Sequence, residues 1–251
     1  MINQNDNYVV ITGASSGIGA AAVRKFASLG RNVIMIARRV NLLNQLHDKI
    51  IAKYPDRDIV VIQQDLSKIN DIPSLYEQIN KQYNIDIWVN NAGFGKIKFV
   101  DELSTEEVIS MVQTNSEALA LLSVLFVKDH ENDEAQLINV SSRAGYQIWP
   151  KTTIYSATKF FVSALTEGLD RELISKGAKM RAKILAPNAT NTEFERVAKN
   201  LNYDVNYDEI FANYNSSKDL ADFLIELINS NASIGFVNDN FQLELGNGRL
   251  L

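Results

Sequence analysis

The sequence predicts an α/β protein built on a doubly wound, mainly parallel sheet of about seven strands with helices on both faces. Three observations predict it. Short apolar runs rich in β-branched residues recur along the chain, helix-compatible segments separate them, and a glycine-rich turn joins the first run to the first helix. A chain of 251 residues with 46% hydrophobic content can bury such a core as one domain, 1–251. No internal repeat, low-complexity tract or linker divides it.

Tyr8 to Thr12 is the first strand, Gly13-Ala-Ser-Ser-Gly17-Ile-Gly19 the turn, and Ala20 to Ala27 continues as helix. Glycines let the backbone approach a ligand closely, and a helix N-terminus offers unpaired N–H groups and the positive end of its dipole to a pyrophosphate. A dinucleotide is the natural occupant; a turn needing glycine for geometry alone is the plainer alternative. The spacing is G-x-x-x-G-x-G, not G-x-G-x-x-G. Further strands are expected at Asn32 to Ile36, Ile59 to Ile62, Ile85 to Val89, Ala135 to Val140, Met180 to Leu185 and Phe241 to Leu245. Ser104 with Glu107 and Ser216 with Asp219 have capping-box spacing, and Pro73 suits a first helical turn. The helical segments Ser104 to Lys128 and Thr153 to Leu173 are apolar or small around most of their circumference. One face covers the sheet; the other needs a second subunit or capping loops.

A net charge of −5 argues against nucleic acid or anionic membrane as a partner. The chain has no cysteine, and His47 and His130 are too few and too far apart for a zinc site, so no metal is expected. The first seven residues lack the basic and apolar regions of an export signal. The longest apolar stretch, around Ala118 to Val127, is about half the ~20 residues of a membrane span. A cytoplasmic protein is expected.

Tyr155-Ser-Ala-Thr-Lys159 puts a phenol and an ammonium on one helix face, thirteen residues after Ser142. A free tyrosine titrates near pH ~10, and a neighbouring cation would favour its ionised form. Thr12 to Gly19, Asn90-Asn-Ala-Gly93, Asn115, Ser142 and the Tyr155/Lys159 pair together resemble the classical short-chain dehydrogenase/reductase (SDR) family, in order and spacing, from about Tyr8 to Thr192. The resemblance implies a Rossmann fold, hydride exchange between a nicotinamide and a carbonyl or alcohol substrate, and assembly as a homodimer or homotetramer. It implies Tyr155 as proton donor and acceptor, Ser142 as hydrogen-bond partner of the substrate oxygen, Lys159 on the tyrosinate and the nicotinamide ribose, and Asn115 holding a proton-relay water. Without the resemblance, Asn115 reads as an exposed polar residue.

The second strand ends without the acid that binds ribose hydroxyls about 20 positions after the loop in NAD-binding folds, and runs into Arg38-Arg39. Guanidinium groups suit the 2′-phosphate of NADP, so NADP(H) is expected before NAD; solvated surface charge is the alternative. Ser15 and Ser16 could serve the same phosphate, with Gly13, Gly17, Ile18 and Gly19 around the pyrophosphate. By resemblance Asp65 and Leu66 lie along the adenine, though Asp65 could equally cap a turn. Asn91, Ala92 and Gly93 should line the ribose and nicotinamide, and Pro187 and Thr192 the carboxamide. Here the chain departs from the family's Pro-Gly: Asn188 follows Pro187, and asparagine tolerates left-handed backbone.

Substrate choice is expected from the loops at Phe94 to Phe99, Arg143 to Pro150 and a lid at about 193–215. Ile148, Trp149, Phe194, Phe211 and Tyr214 could form an apolar pocket or simply pack. The rival readings are a catalytically silent NADP-binding sensor or regulatory protein of the same fold, and a sugar-nucleotide epimerase, which usually needs a longer substrate domain.

Overall fold

A computed structural model describes residues 7–250. The opening segment read above for an export signal lies outside them, except for Asn7. The chain runs β1 (Tyr8–Thr12), α1 (Gly17–Ser28), β2 (Asn32–Ala37), α2 (Val40–Lys53), β3 (Ile59–Gln63), α3 (Ile72–Gln82) and β4 (Ile85–Asn90). There follow α4 (Thr105–Val112), α5 (Ala118–His130), β5 (Gln136–Val140), α6 (Thr153–Ser175), β6 (Arg181–Ala186), β7 (Thr190–Asn191) and α7 (Phe194–Ala198). The last elements are α8 (Tyr207–Ile210), β8 (Asn215–Ser216), α9 (Ser217–Asn229), β9 (Ile234–Val237) and β10 (Leu243–Gly246).

The main sheet has eight strands in the order β10-β9-β6-β5-β4-β1-β2-β3. All pairings are parallel except β10 with β9 at the edge. Strand order therefore reverses between β1 and β4, the point at which doubly wound sheets open a crevice at their carboxyl ends. One core layer packs Val23, Phe26, Leu43 and Leu224 from α1, α2 and α9 against the sheet; the other packs Ile79, Leu122, Phe126 and Leu173 from α3, α5 and α6. Both expected capping boxes form, with Ser104 accepting from the Glu107 amide and Ser216 from the Asp219 amide. Pro73 lies in the first turn of α3.

Two expectations need correction. The seventh parallel strand is β9, which went unrecognised, and the expected strand Phe241 to Leu245 is the antiparallel edge, starting at Leu243. Phe241 itself has a left-handed backbone, φ 60°, in the turn between the two. The second correction concerns the long helix. α4 and α5 run on through a five-residue π-helical turn, Gln113–Glu117, giving a 26-residue helix, Thr105–His130, that holds an 18-residue stretch of mean hydropathy 1.3. By length and composition alone this helix could cross a membrane, unlike the shorter stretch expected. Ala118, Leu122 and Phe126 are buried in the layer beneath the sheet, which makes it a core helix here. Ile109, Val112 and Val124 on it, and Phe161 on α6, stay exposed.

Polar groups are buried beneath the central strands. Asn90 Nδ2 donates to Asn139 Oδ1 (2.9 Å), Asn139 Nδ2 to Thr166 Oγ1 (2.8 Å), and Trp88 Nε1 to Asn90 Oδ1 (2.9 Å). Lys183, also buried, donates to the carbonyls of Leu227, Ile228 and Ser230 and closes the C-terminal end of α9. Burial draws its pKa down to about 8.

Asn139→Leu keeps the volume and leaves one N–H of the Asn90 amide without its acceptor, the other still donating to Ser123 Oγ at 3.2 Å. A buried donor left unpaired costs about 1–3 kcal/mol, so urea unfolding should show a loss of about 2 kcal/mol or more; an unchanged midpoint would remove the network from the stability of the sheet.

Candidate active site

The loops after β1, β2, β4, β5 and β6 surround a cavity of about 890 Å³. Its floor is set where β1 and β4 part. Thr12 Oγ1 accepts from the amides of Asn91 and Ala92, both at 3.0 Å, and Asn91 Nδ2 donates to the Thr12 carbonyl at 2.9 Å. Gly13 takes φ +67°, and a Cβ on Gly19 would stand 2.4 Å from the Gly13 carbonyl oxygen. Only glycine fits either position. The first turn of α1 receives no side-chain cap from Ser16, so its N–H groups face the cavity side without a side-chain acceptor. A cradle of this shape, beside guanidinium groups, fits a dinucleotide's phosphates.

Gly13, Ser15, Ser16, Gly17 and Ile18 line the cavity at this end, with Arg38 and Arg39 from the end of β2. Gly19 does not reach the wall; its place is behind the turn. Arg39 Nη2 donates to Ser16 Oγ (2.6 Å) and Ser15 Oγ (3.2 Å), and to Glu193 Oε2 at 2.7 Å. Hydrogen bonding from Arg39 and from Ser16 holds the Glu193 carboxyl at about 2, far below the usual carboxylate range. Asp65 and Leu66 also line the cavity, and Asp65 accepts from the amide and hydroxyl of Ser67, so it caps its turn as well.

At the other end stand Ser142, Tyr155 and Lys159, with Asn91, Ala92 and Gly93. Ser142 accepts from the Ala144 amide, and its hydroxyl faces the Tyr155 phenol closely enough to pull the phenol's pKa down. Ser141 points the opposite way, to Ser163 and the Lys159 carbonyl. The expected lowering of the Tyr155 pKa does not appear: burial pushes it up to about 12, against a smaller downward pull from Ser142. The physical reason is where Lys159 points. Its Nζ donates to the Val140 carbonyl (2.9 Å) and lies 5.9 Å from the centre of the phenol ring, while its own burial takes it down to about 8.

Asn115 does not line the cavity and is not exposed; it is fully buried in the π turn. Its Oδ1 accepts from the Phe94 amide (3.0 Å), and its Nδ2 donates to the Phe94 carbonyl (2.7 Å) and to Thr158 Oγ1 (3.1 Å). Gly93 packs beside both this amide and the Lys159 ammonium. Pro187 and Thr192 line the wall. The turn after Pro187 survives without left-handed backbone: among the described residues the positive-φ positions other than glycine are Lys151, Asn200 and Phe241. Asn188 instead accepts from the Ala189 amide and donates to the Asn238 carbonyl.

Of the five candidate pocket residues, Trp149, Phe194 and Phe211 line the cavity, whereas Ile148 is exposed and Tyr214 packs edge-on against Tyr207. Three further residues of the expected loops, none singled out by its own chemistry in the sequence, take part. Arg143 stacks on Trp149 and pairs with Asp239 on the cavity wall. Glu193 joins Arg39, and Gly95 is closed in by aromatic rings. A Cβ at Gly95 would stand 2.7 Å from Phe194 and 3.0 Å from Tyr155, whose rings lie 5.2 Å apart.

Comparison with known proteins shows what the chain is similar to. A short-chain dehydrogenase family model matches residues 7–202. Human dehydrogenase/reductase SDR family member 11 is 34% identical over 196 residues, which cover 75% of each chain. The solved short-chain dehydrogenase from Sphingobium yanoikuyae in complex with NADPH is 26% identical, covers 88% of this chain and 83% of its own, and superposes with TM-score 0.76. An SDR from Burkholderia phymatum in complex with NAD is 25% identical, covers 91% and 87%, and superposes with TM-score 0.79.

Gly95→Ala should displace the Phe194 ring, because its far end is the nearest atom to the new methyl. The expected result is an unchanged melting temperature with altered exchange protection of the segment around Phe194. Protection identical to wild type would show that the ring already has room.

Proposed function

We propose that this chain, which belongs to the short-chain dehydrogenase/reductase family, is an NADP(H)-dependent oxidoreductase interconverting a carbonyl compound and its alcohol. The observation that carries the reading is the convergence of Ser142, Tyr155 and Lys159 on the same cavity as the glycine turn and Arg38-Arg39. When bound, the nicotinamide supplies or accepts the hydride. Tyr155 gives its proton to the substrate oxygen as the carbonyl carbon gains the hydride, and takes the proton back in oxidation. Burial keeps the phenol protonated, so the donor form stands ready at neutral pH, and Ser142 stabilises the anion left behind. Ser142 also hydrogen-bonds the substrate oxygen where charge develops.

Lys159, when charged, favours the tyrosinate and binds ribose hydroxyls. The Asn115 turn holds the backbone of Phe94 beside Gly93 and Lys159, and a water on this turn returns protons to the site. Arg38 and Arg39, with Ser15 and Ser16, receive the 2′-phosphate. Gly13, Gly17, Ile18 and Gly19 shape the pyrophosphate cradle, Asp65 and Leu66 border the adenine, and Asn91, Ala92, Gly93, Pro187 and Thr192 border the nicotinamide half. The segment 193–215 serves as the substrate lid of a single domain. The exposed apolar faces around Val112, Val124 and Phe161 support assembly with a second copy, as homodimer or homotetramer. The reading places the protein in the cytoplasm.

Tyr155→Phe should retain NADPH binding by fluorescence titration and lose two or more orders of magnitude in kcat, about the scale of general acid catalysis. Retained turnover would take Tyr155 out of the role, and binding without turnover by the wild type across a broad carbonyl panel would favour the sensor. Arg38→Asp should move the ratio of kcat/KM values from NADPH toward NADH; an unmoved ratio rejects the phosphate clamp. Lys159 is charged below its folded pKa of about 8, so kcat/KM for the nucleotide should fall as pH rises through about 8. Lys159→Met should flatten that profile.

A further inference from the structure

The segment that follows β7 makes three consecutive contacts across the cleft. The Thr192 methyl packs on Gly17, the Glu193 carboxylate reaches Arg39 and Ser16, and the Phe194 ring lies on Tyr155. The middle contact lies where the nucleotide's own anion is expected. Arg39, Ser15 and Ser16 converge on one point at the rim of the cavity, and an acidic side chain from a distant part of the chain already stands there. Its other oxygen accepts from Arg196 Nη2 at 2.6 Å, so both oxygens of the carboxylate are held by guanidinium groups.

We propose that Glu193 is a built-in competitor for the 2′-phosphate site: a nucleotide bearing a 2′-phosphate displaces it and frees the 192–194 strap from Tyr155, whereas a nucleotide without one leaves the strap closed. The inference rests on the NADP reading above. A carboxylate and a phosphate monoester make the same charge-assisted bonds to a guanidinium and a hydroxyl, and the phosphate brings the larger charge and more acceptor oxygens. Displacement therefore favours the phosphate. Because Glu193 and Phe194 are adjacent, moving the carboxylate off Arg39 carries the next side chain away from the phenol. Binding at the adenosine end and opening at the reactive end become one equilibrium, and the coupling must run equally in both directions. The ion pair is half-exposed, Arg39 at 43% and Glu193 at 34%, so the competition is worth the modest factor expected of a screened pair.

The test compares 2′,5′-ADP with 5′-ADP on the full chain, by calorimetry and by hydrogen exchange. Glu193→Gln should bind 2′,5′-ADP up to about fivefold more tightly than wild type, with 5′-ADP changed less than twofold. In the wild type, 2′,5′-ADP should speed amide exchange around 193–198 and 5′-ADP should not, a measurement that needs no variant. Three results overturn the proposal. A wild-type preference for 2′,5′-ADP carried unchanged into Glu193→Gln rejects the competitor alone. Strap exchange insensitive to 2′,5′-ADP rejects the release. Equal affinity of the wild type for the two ligands rejects the competitor together with the NADP reading.

Discussion

The Thr12 hydroxyl decides the shape of the cleft. β1 and β4 are neighbours in the sheet, yet their chains depart to opposite faces, so the two loops leaving them have no ladder to hold them together. One oxygen accepting from the amides of Asn91 and Ala92, with the Asn91 side chain returning a bond to the Thr12 carbonyl, supplies that link. Backbone groups that would otherwise be buried unpaired are satisfied in the same stroke. With the loops pinned, Gly13 sits against Ala92 and Gly19 against Gly13, and the first turn of α1 faces the cavity. The glycine turn and the loop after β4 are thereby registered to each other through the Thr12 and Asn91 side chains.

The reactive end is built by the same logic of committed polar groups. The π turn swings Asn115 inward, where both amide hydrogens and one lone pair of Oδ1 are taken by Phe94 and Thr158. π turns inside α-helices recur at functional sites because the extra residue re-aims side chains without ending the helix. Thr158 is in α6 between Tyr155 and Lys159, so the helix bearing the phenol is tied to the loop bearing Gly93 and Phe94. Burial then moves Tyr155 upward and Lys159 downward, both toward their neutral forms. Permanent charge stays at the rim beside the glycine turn, where Arg38, Arg39, Glu193 and Arg196 are partly solvated.

Most of the sheet was legible because it is written in local pattern: β-branched runs at regular intervals, a glycine turn, and capping boxes at Ser104 and Ser216. The exceptions are elements whose pattern is overridden. β9 is four residues long with Gly235 inside it, too short to stand out, and it exists because β6 offers a partner edge. Lys183 alternates into a buried position of β6, which no propensity favours, and is tolerated because three carbonyls at the end of α9 meet its ammonium. In the site, the residues that share a cavity could be picked out from motif spacing, whereas their electrostatics could not. Spacing puts Lys159 on the face of Tyr155, but only the position of β5 shows that the ammonium is taken up by Val140.

Glu193 was illegible for a related reason, since its partner lies 154 residues away and the pairing depends on how β7 and the strap return over the glycine turn. Locally it is one acid among polar and aromatic neighbours. Its placement also accounts for the geometry of Phe194. An aromatic ring resting on the Tyr155 phenol would obstruct a ligand there if it were fixed, and α7, a helix of five residues, is too short to hold it by itself. The residue before the ring is anchored to Arg39 and Arg196, the Phe194 amide donates to Thr192 Oγ1, and the ring itself closes over Gly95. On the proposal above, the strap stays on Tyr155 while Glu193 fills the anion site from within.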